Sequence, residues 1–346
     1  MDLIELRNEG LFCPPGSFYI DPWRPVERAV ITHAHADHAR PGHARYLAVA
    51  DCEQVLRTRL GDIALQVIAY SEAIDINGVK VSLHPAGHVL GSSQVRIEYA
   101  GEVWVVSGDY KLEADATCAP FEAVRCHTFV TESTFALPIY RWAPPRAVFV
   151  DINAWWDANA REGRASVLYG YAFGKAQRML AGVDAGIGPI VCHGAVENLN
   201  RAYRATGVVL PHTASVTEVT TNDLKRALIV APPSAQGTPW LKRFGKYSDA
   251  FASGWMQLRG ARRRRGVDRG FVLSDHADWP GLMQAIEATC AQRVIATHGY
   301  SNILVRWLQQ RGMQAATFDT EFGSEDPTAP QEGTEGDVPD MAEASA

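Results

Sequence analysis

The sequence has no pair of cysteines at C-x-x-C spacing. Its six cysteines (Cys13, Cys52, Cys118, Cys126, Cys192 and Cys290) stand singly, which argues against a zinc knuckle or a thioredoxin-like dithiol. No apolar run approaches the ~20 residues of a membrane span. The opening residues, Met1-Asp2-Leu3-Ile4-Glu5, carry acids and no long apolar run, unlike a signal peptide. A reduced, cytoplasmic setting is the expectation. Basic residues are missing from Gly323 to Ala346, which holds seven acids, much Pro, Gly, Ala and Thr, and little to bury. We expect 323–346 to be a disordered acidic tail. Its seven acids exceed the chain's net charge of −6, leaving the rest of the protein at +1.

What is present is globular. A hydrophobic content of 47% and a charged content of 21% over 346 residues allow a sizeable core, in two domains or in one with an insertion. The densest chemistry lies in His33-Ala34-His35-Ala36-Asp37-His38, reached from the apolar run Ala29-Val30-Ile31. Imidazole and carboxylate are ligands for zinc and its first-row neighbours. On an extended backbone His33 and His35 point the same way. Asp37 and His38 follow at the turn and would face a second metal.

Other strand ends repeat the pattern. Asp21 follows Phe18-Tyr19-Ile20, and either hydrogen-bonds a metal-bound imidazole or starts the Asp21-Pro22 turn. The hairpin signal Asn77-Gly78 joins Ala73–Ile76 to Val79–Leu83, which runs into Gly87-His88, with His88 a further ligand. Val103-Trp104-Val105-Val106 leads to Ser107-Gly108-Asp109, where a carboxylate beside a buried strand is costly unless paired or coordinating. Asp109 therefore suits a bridge between two metals. Glu132 ends Phe129-Val130-Thr131, and His276 and His298 follow later strands.

Near residue 138 the pattern becomes alternating helix and strand without ligand clusters, as in a separate cap. Gly170-Tyr171-Ala172-Phe173-Gly174-Lys175 resembles a phosphate cradle at a helix start, and Lys175 and Lys111 are candidate phosphate contacts. Arg259-Gly260-Ala261-Arg262-Arg263-Arg264-Arg265 reads as a basic loop whose Arg262 and Arg263 could meet a nucleic-acid backbone. From 270 the strand-end pattern returns. The expected division is a catalytic domain over 1–140 and 270–322, a cap over 141–269, and the tail.

In this order H-x-H-x-D-H, Gly87-His88, Ser107-Gly108-Asp109 and the two late histidines resemble the metallo-β-lactamase fold. Thr131-Glu132-Ser133-Thr134, the inserted region, Ser274-Asp275-His276 and Thr297-His298-Gly299 resemble its β-CASP nuclease branch. Ile20-Asp21-Pro22-Trp23-Arg24-Pro25, Gly108-Asp109-Tyr110-Lys111 and Tyr171–Arg178 are similar to bacterial ligase-associated DNA exonucleases.

The resemblance implies an α/β protein, an αββα sandwich with an inserted α/β cap. It implies a hydrolase that cuts nucleic acid, foremost single-stranded DNA in repair, beside an ATP-dependent DNA ligase and a helicase. A β-CASP ribonuclease is the alternative, because RNA-processing members carry histidine at the position of His298. An inactive scaffold is disfavoured, since every ligand position is filled. The resemblance further implies one metal on His33, His35 and His88 and a second on Asp37, His38 and His298. Asp109 would bridge them, and a hydroxide between the metals would attack phosphorus. His276 would protonate the leaving oxygen, oriented by Glu132. Zinc suits the ligand types, and manganese the carboxylate content.

Overall fold

The computed structural model describes residues 2–322; the acidic segment 323–346, expected to be disordered, lies outside the described residues. The described chain forms two compact units, one from residues 2–141 and 276–322 and one from Trp142–Asp275.

In the first unit one sheet runs in chain order: β1 (Glu5–Arg7), β2 (Gly10–Cys13), β3 (Phe18–Ile20), β4 (Arg28–Val30), β5 (Arg45–Val49) and, after helix α1 (Glu53–Leu60), β6 (Leu65–Ile68). It is antiparallel up to β3 and parallel from β3 to β6. A second sheet begins with β7 (Ala73–Ile76), β8 (Val79–Pro85), β9 (Ser93–Tyr99), β10 (Glu102–Val106) and β11 (Thr128–Ser133). Asn77 and Gly78, both at positive φ (54° and 82°), make the tight β7–β8 turn that the Asn-Gly pair signals.

The second unit contains α2 (Pro145–Arg161), β12 (Ala165–Tyr169), α3 (Lys175–Gly182), β13 (Ile190–Cys192), α4 (Gly194–Ala205), α5 (Thr221–Leu224), β14 (Leu228–Ala231), β15 (Tyr247–Ala252), α6 (Arg259–Arg265) and β16 (Arg269–Phe271). Its sheet is wholly parallel in the order β13-β14-β12-β15-β16. Ala165–Tyr169 and Leu228–Ala231 are buried throughout, which is why they read as unbroken apolar runs rather than alternating ones.

The chain then returns to the first unit with α7 (Trp279–Thr289), β17 (Arg293–Gly299), α8 (Ser301–Gln309) and β18 (Gln314–Thr317). β17 and β18 extend the second sheet beyond β11 in parallel, giving the order β18-β17-β11-β10-β9-β8-β7. Alternation along these strands sorts their side chains. Val105, Phe129 and Val294 join Leu282 and Ile286 of α7 and Leu304 and Leu308 of α8 in one core. Val106 and Val130 face the other way, and share a small cavity with Leu11 of the first sheet and with His38. Because β3 and β4 are parallel to each other, as are β10, β11 and β17, each set ends at one edge of its sheet.

Two details depart from the sequence reading. The arginine run is a helix, not a loop, anchored by buried Ala261 and ended by Gly266 in the left-handed region. The junction between the units falls at Asp275–His276 rather than at 269/270. Strand Arg269–Phe271 pairs with β15, and the Lys175 ammonium binds the Leu273 carbonyl, so the segment up to Asp275 belongs to the second unit's sheet.

The α7–α8 core holds the strand ends in place. Leu282→Ala, at a fully buried position, should cost about 2–5 kcal/mol in urea unfolding. A loss well below 1 kcal/mol would show that the core is not packed as described.

Candidate metal centre

The first ligands come from the turn after β4. Ile31 N still donates to Leu47 O at 2.8 Å, so the backbone stays extended to the start of the cluster. The amides of His38 and Ala39 then both donate to His35 O, at 3.2 and 2.8 Å. That turn separates His38 from the pair His33 and His35. Nε2 of His33 and Nε2 of His88 each lie 3.1 Å from Nδ1 of His35. Donors on a tetrahedral ion with bonds of about 2.0–2.1 Å stand roughly 3.3 Å apart. This is the spacing of a ligand set.

Asp109 sits between two clusters. Its Oδ2 lies 3.5 Å from His33 Nε2, 3.7 Å from His88 Nε2 and 3.6 Å from His38 Nε2. Its Oδ1 lies 3.2 Å from His298 Nε2. Two of the donor groups that include Asp109 are His33–His35–His88–Asp109 and His38–Asp109–His298, and Glu132 and His276 form a third with it. Gly108 makes the approach possible: it is at φ +55°, and a Cβ there would come within 2.7 Å of the Thr32 side chain.

Hydrogen bonds fix which nitrogen faces inward. Asp21 accepts from Thr32 N at 2.7 Å, from Thr32 Oγ1 at 2.5 Å and from His38 Nδ1 at 2.8 Å. Since the Thr32 hydroxyl spends its proton on Asp21, it must accept from His33 Nδ1, 3.0 Å away. In the neutral form of each imidazole this leaves the Nε2 lone pair on the side of Asp109. The same arrangement recurs at His298, whose Nδ1 is 3.2 Å from Thr297 Oγ1, itself donating to Thr131 O. The aspartate thus orients the His38 imidazole, and the two Thr-His dipeptides are a repeated sequence signal for the other two rings. Asp21 is at φ +42°, so it makes its sharp turn and binds His38 at once.

The electrostatics favour a cation. Burial alone would lower the pKa of His38, but the carboxylates of Asp109, Asp37 and Asp21 outweigh it and raise it to about 10. Burial would raise that of Asp109, but His38, His276 and His298 hold it well below the usual range. His33, fully buried and beside other imidazoles, is pushed well below its ordinary value. His38 Nε2 is buried and has no hydrogen-bond partner. A buried polar atom in that state is costly, and a divalent ion would satisfy it. The donor set of imidazole and carboxylate suits zinc or manganese.

Beside the ligands stands a second pair. Glu132 accepts from Tyr110 N at 2.7 Å and meets His276 Nδ1 at 2.9 Å, and both side chains are buried. The Ala277 amide, bonded to Tyr110 O at 2.7 Å, fixes the backbone next to His276. His84, by contrast, is taken up by Ser82, Ser71 and Glu122.

Not every candidate converges. Asp37 is half-buried, with Oδ2 3.7 Å from His38 Nε2, and joins none of these donor groups. Lys111 is buried and pairs with Asp115 at 3.0 Å, so it does not present its charge to a phosphate. Lys175 is also no phosphate ligand. Its ammonium is buried on Leu273 O and Asp275 Oδ2, both at 2.8 Å, and Arg178 binds the same carboxylate. The glycine loop before it is not a cradle, since Gln177 Oε1 takes the Gly174 amide at 2.8 Å. Arg262 and Arg263 are exposed on α6, with Arg262 Nε bonded to Met256 O.

Comparison with known proteins finds relatives at modest identity. No family model matches the chain. A probable DNA ligase of Opitutus terrae is 28% identical over 311 residues, 89% of this chain and 30% of that protein. The endoribonuclease YSH1 of Eremothecium gossypii is 27% identical over 122 residues, 35% of this chain and 16% of that one. Cleavage and polyadenylation specificity factor subunit 3-I of Arabidopsis thaliana is 27% identical over 126 residues, again 35% of this chain. The chain spans under a third of the length of these curated relatives. A crystal structure of a protein of unknown function from Enterococcus faecalis superposes with a TM-score of 0.58 at 12% identity, covering 86% of this chain and 80% of that one. The structure itself shows a mixed α/β protein with buried His/Asp groups whose donor types could hold a metal ion.

The Asp21 contacts generate a test. Asp21→Asn should weaken divalent-metal affinity roughly 10–100-fold, as removing the hydrogen-bond partner of a ligating imidazole does. Competition with a chromophoric chelator would measure it, and unchanged affinity would show that the His38 bond has no bearing on metal binding.

Proposed function

We propose that this protein is a metal-dependent phosphodiesterase of the β-CASP type, built on a metallo-β-lactamase αββα sandwich with an inserted cap. Its preferred reaction would be exonucleolytic hydrolysis of single-stranded DNA during repair. The observation that carries the reading is the convergence of five imidazoles on the buried Asp109 carboxylate. The relative named a DNA ligase aligns over most of the chain, whereas those named endoribonucleases align over about a third. That favours DNA and a working association with a ligase. Ribonuclease action is the second reading, supported by the nuclease relatives themselves and by histidine at 298.

His33, His35 and His88 would hold one ion, and His38 and His298 the other, Asp109 lying between and Asp37 standing at the rim of the second. Bound there, divalent ions would supply Lewis acidity toward phosphoryl oxygens and an acidified water. The protein's own side chains do the rest. Asp21 and the two threonines keep the ligand nitrogens facing inward. Glu132 holds Nδ1 of His276, so that Nε2 can deliver a proton to the departing sugar oxygen.

Two tests follow. His276→Ala should retain its metal yet lose on the order of 10²–10⁴ in rate on an oligonucleotide. The loss should shrink on a nitrophenyl phosphodiester, whose leaving group needs no proton; an equal loss on both substrates would remove the acid role. Neutralising Arg262–Arg265 should weaken oligonucleotide binding and flatten its salt dependence. On a single strand the log–log slope should fall by about 0.7 for each phosphate that is no longer neutralised. An unchanged slope would make α6 an ordinary solvated helix.

A further inference from the structure

Phe322 stands outside the ligand set but against it. Its ring lies on the His38 imidazole at 4.4 Å between centroids, with the planes 15° apart. It meets His298 edge-on at 5.5 Å. His33 also meets the His38 ring, at 4.1 Å and tilted by 41°. The His38 ring is thus held by two neighbouring rings and, at Nδ1, by Asp21.

The segment carrying Phe322 is latched to the loops that carry the site. Beyond β18, Phe318 N donates to Ala296 O at 2.9 Å, continuing the pairing with β17. Arg24 reaches the Glu321 carboxylate at 3.1 Å, and Arg40 reaches the Glu321 carbonyl at 3.4 Å. Trp23, two residues after Asp21, closes on Phe322 edge-on at 5.7 Å. The Arg24–Glu321 pair is exposed and contributes little by itself. The aromatic contacts carry the attachment. Phe322 also lines the small cavity shared by Asp21, His38, Ser107 and His298.

We propose that residues Phe318–Phe322 form a strap that completes the His38–Asp109–His298 half of the centre, with Phe322 its positioning residue. The proposal rests on the metal reading above. Phe322 fixes the two imidazoles in the orientation an ion requires and keeps water from their faces. Both imidazoles that its ring meets, His38 and His298, belong to the same donor group, so its effect falls on one half of the centre.

The test is a calorimetric titration of the chelator-stripped full-length protein with Zn²⁺ alone. The parent should bind two ions. Phe322→Leu, which keeps apolar volume without an aromatic face, should weaken one site by roughly 3- to 10-fold and leave the other unchanged. Phe322→Ala should weaken the same site further, and Phe322→Tyr should restore it. Histidine NMR of the metal-free protein supplies a second readout: loss of the aromatic ring in Phe322→Leu should shift the His38 signals and spare those of His35. A parent that binds two ions together with a superimposable Phe322→Leu isotherm would overturn the strap. So would equal weakening of both sites accompanied by a lower melting temperature, the mark of a merely structural role. A parent that binds no ion would instead overturn the metal reading, and the strap with it.

Discussion

The rest of the centre depends on one buried charge. Asp109 is only 5% exposed and ionised, and a carboxylate so placed is several kcal/mol out of balance without compensation. Five imidazoles are gathered near it, with His33, His38, His88 and His298 within 3.7 Å of its oxygens. Protons alone are a poor solution, because His33 resists protonation while His38 is forced to accept it. Such a cluster is better matched by metal ions than by hydrogen bonds. The parallel strands make the cluster buildable: their ends share an edge, and short turns there place ligands from distant stretches of sequence side by side.

The neighbours of the ligands follow from the same constraint. Asp21 and the threonines of the Thr-His dipeptides take up the outward-facing nitrogens of His38, His33 and His298. Glu132 does this for His276. In the second unit, Lys175 and Arg178 are paired with Asp275 and with backbone carbonyls. Those cations serve the interior of that unit.

Much of this was legible in the sequence, and the reasons are physical. His33, His35, His88, Asp109 and His298 stand next to apolar strands, and a polar residue there is costly unless it has work to do. Asn77-Gly78 marked its hairpin because few other pairs adopt both positive φ angles. What stayed hidden depended on three-dimensional neighbours. Lys175 follows glycines as a phosphate-binding lysine does, but only the fold shows Gln177 filling the loop and Asp275 taking the ammonium. The arginine run read as a loop because its single anchor, Ala261, gives no periodic signal. Phe322 lies just before an acidic, coreless stretch, and its contact with His38 spans the whole chain.

The central claim is that this cluster is a two-ion centre bridged by Asp109, and anomalous diffraction from crystals grown with zinc tests it most directly. Two peaks are predicted. One should lie about 2.0–2.2 Å from His33, His35 and His88, the other at that distance from His38 and His298, with a carboxylate oxygen of Asp109 reaching each. A single peak on His33, His38 and Asp21, or none, would contradict it.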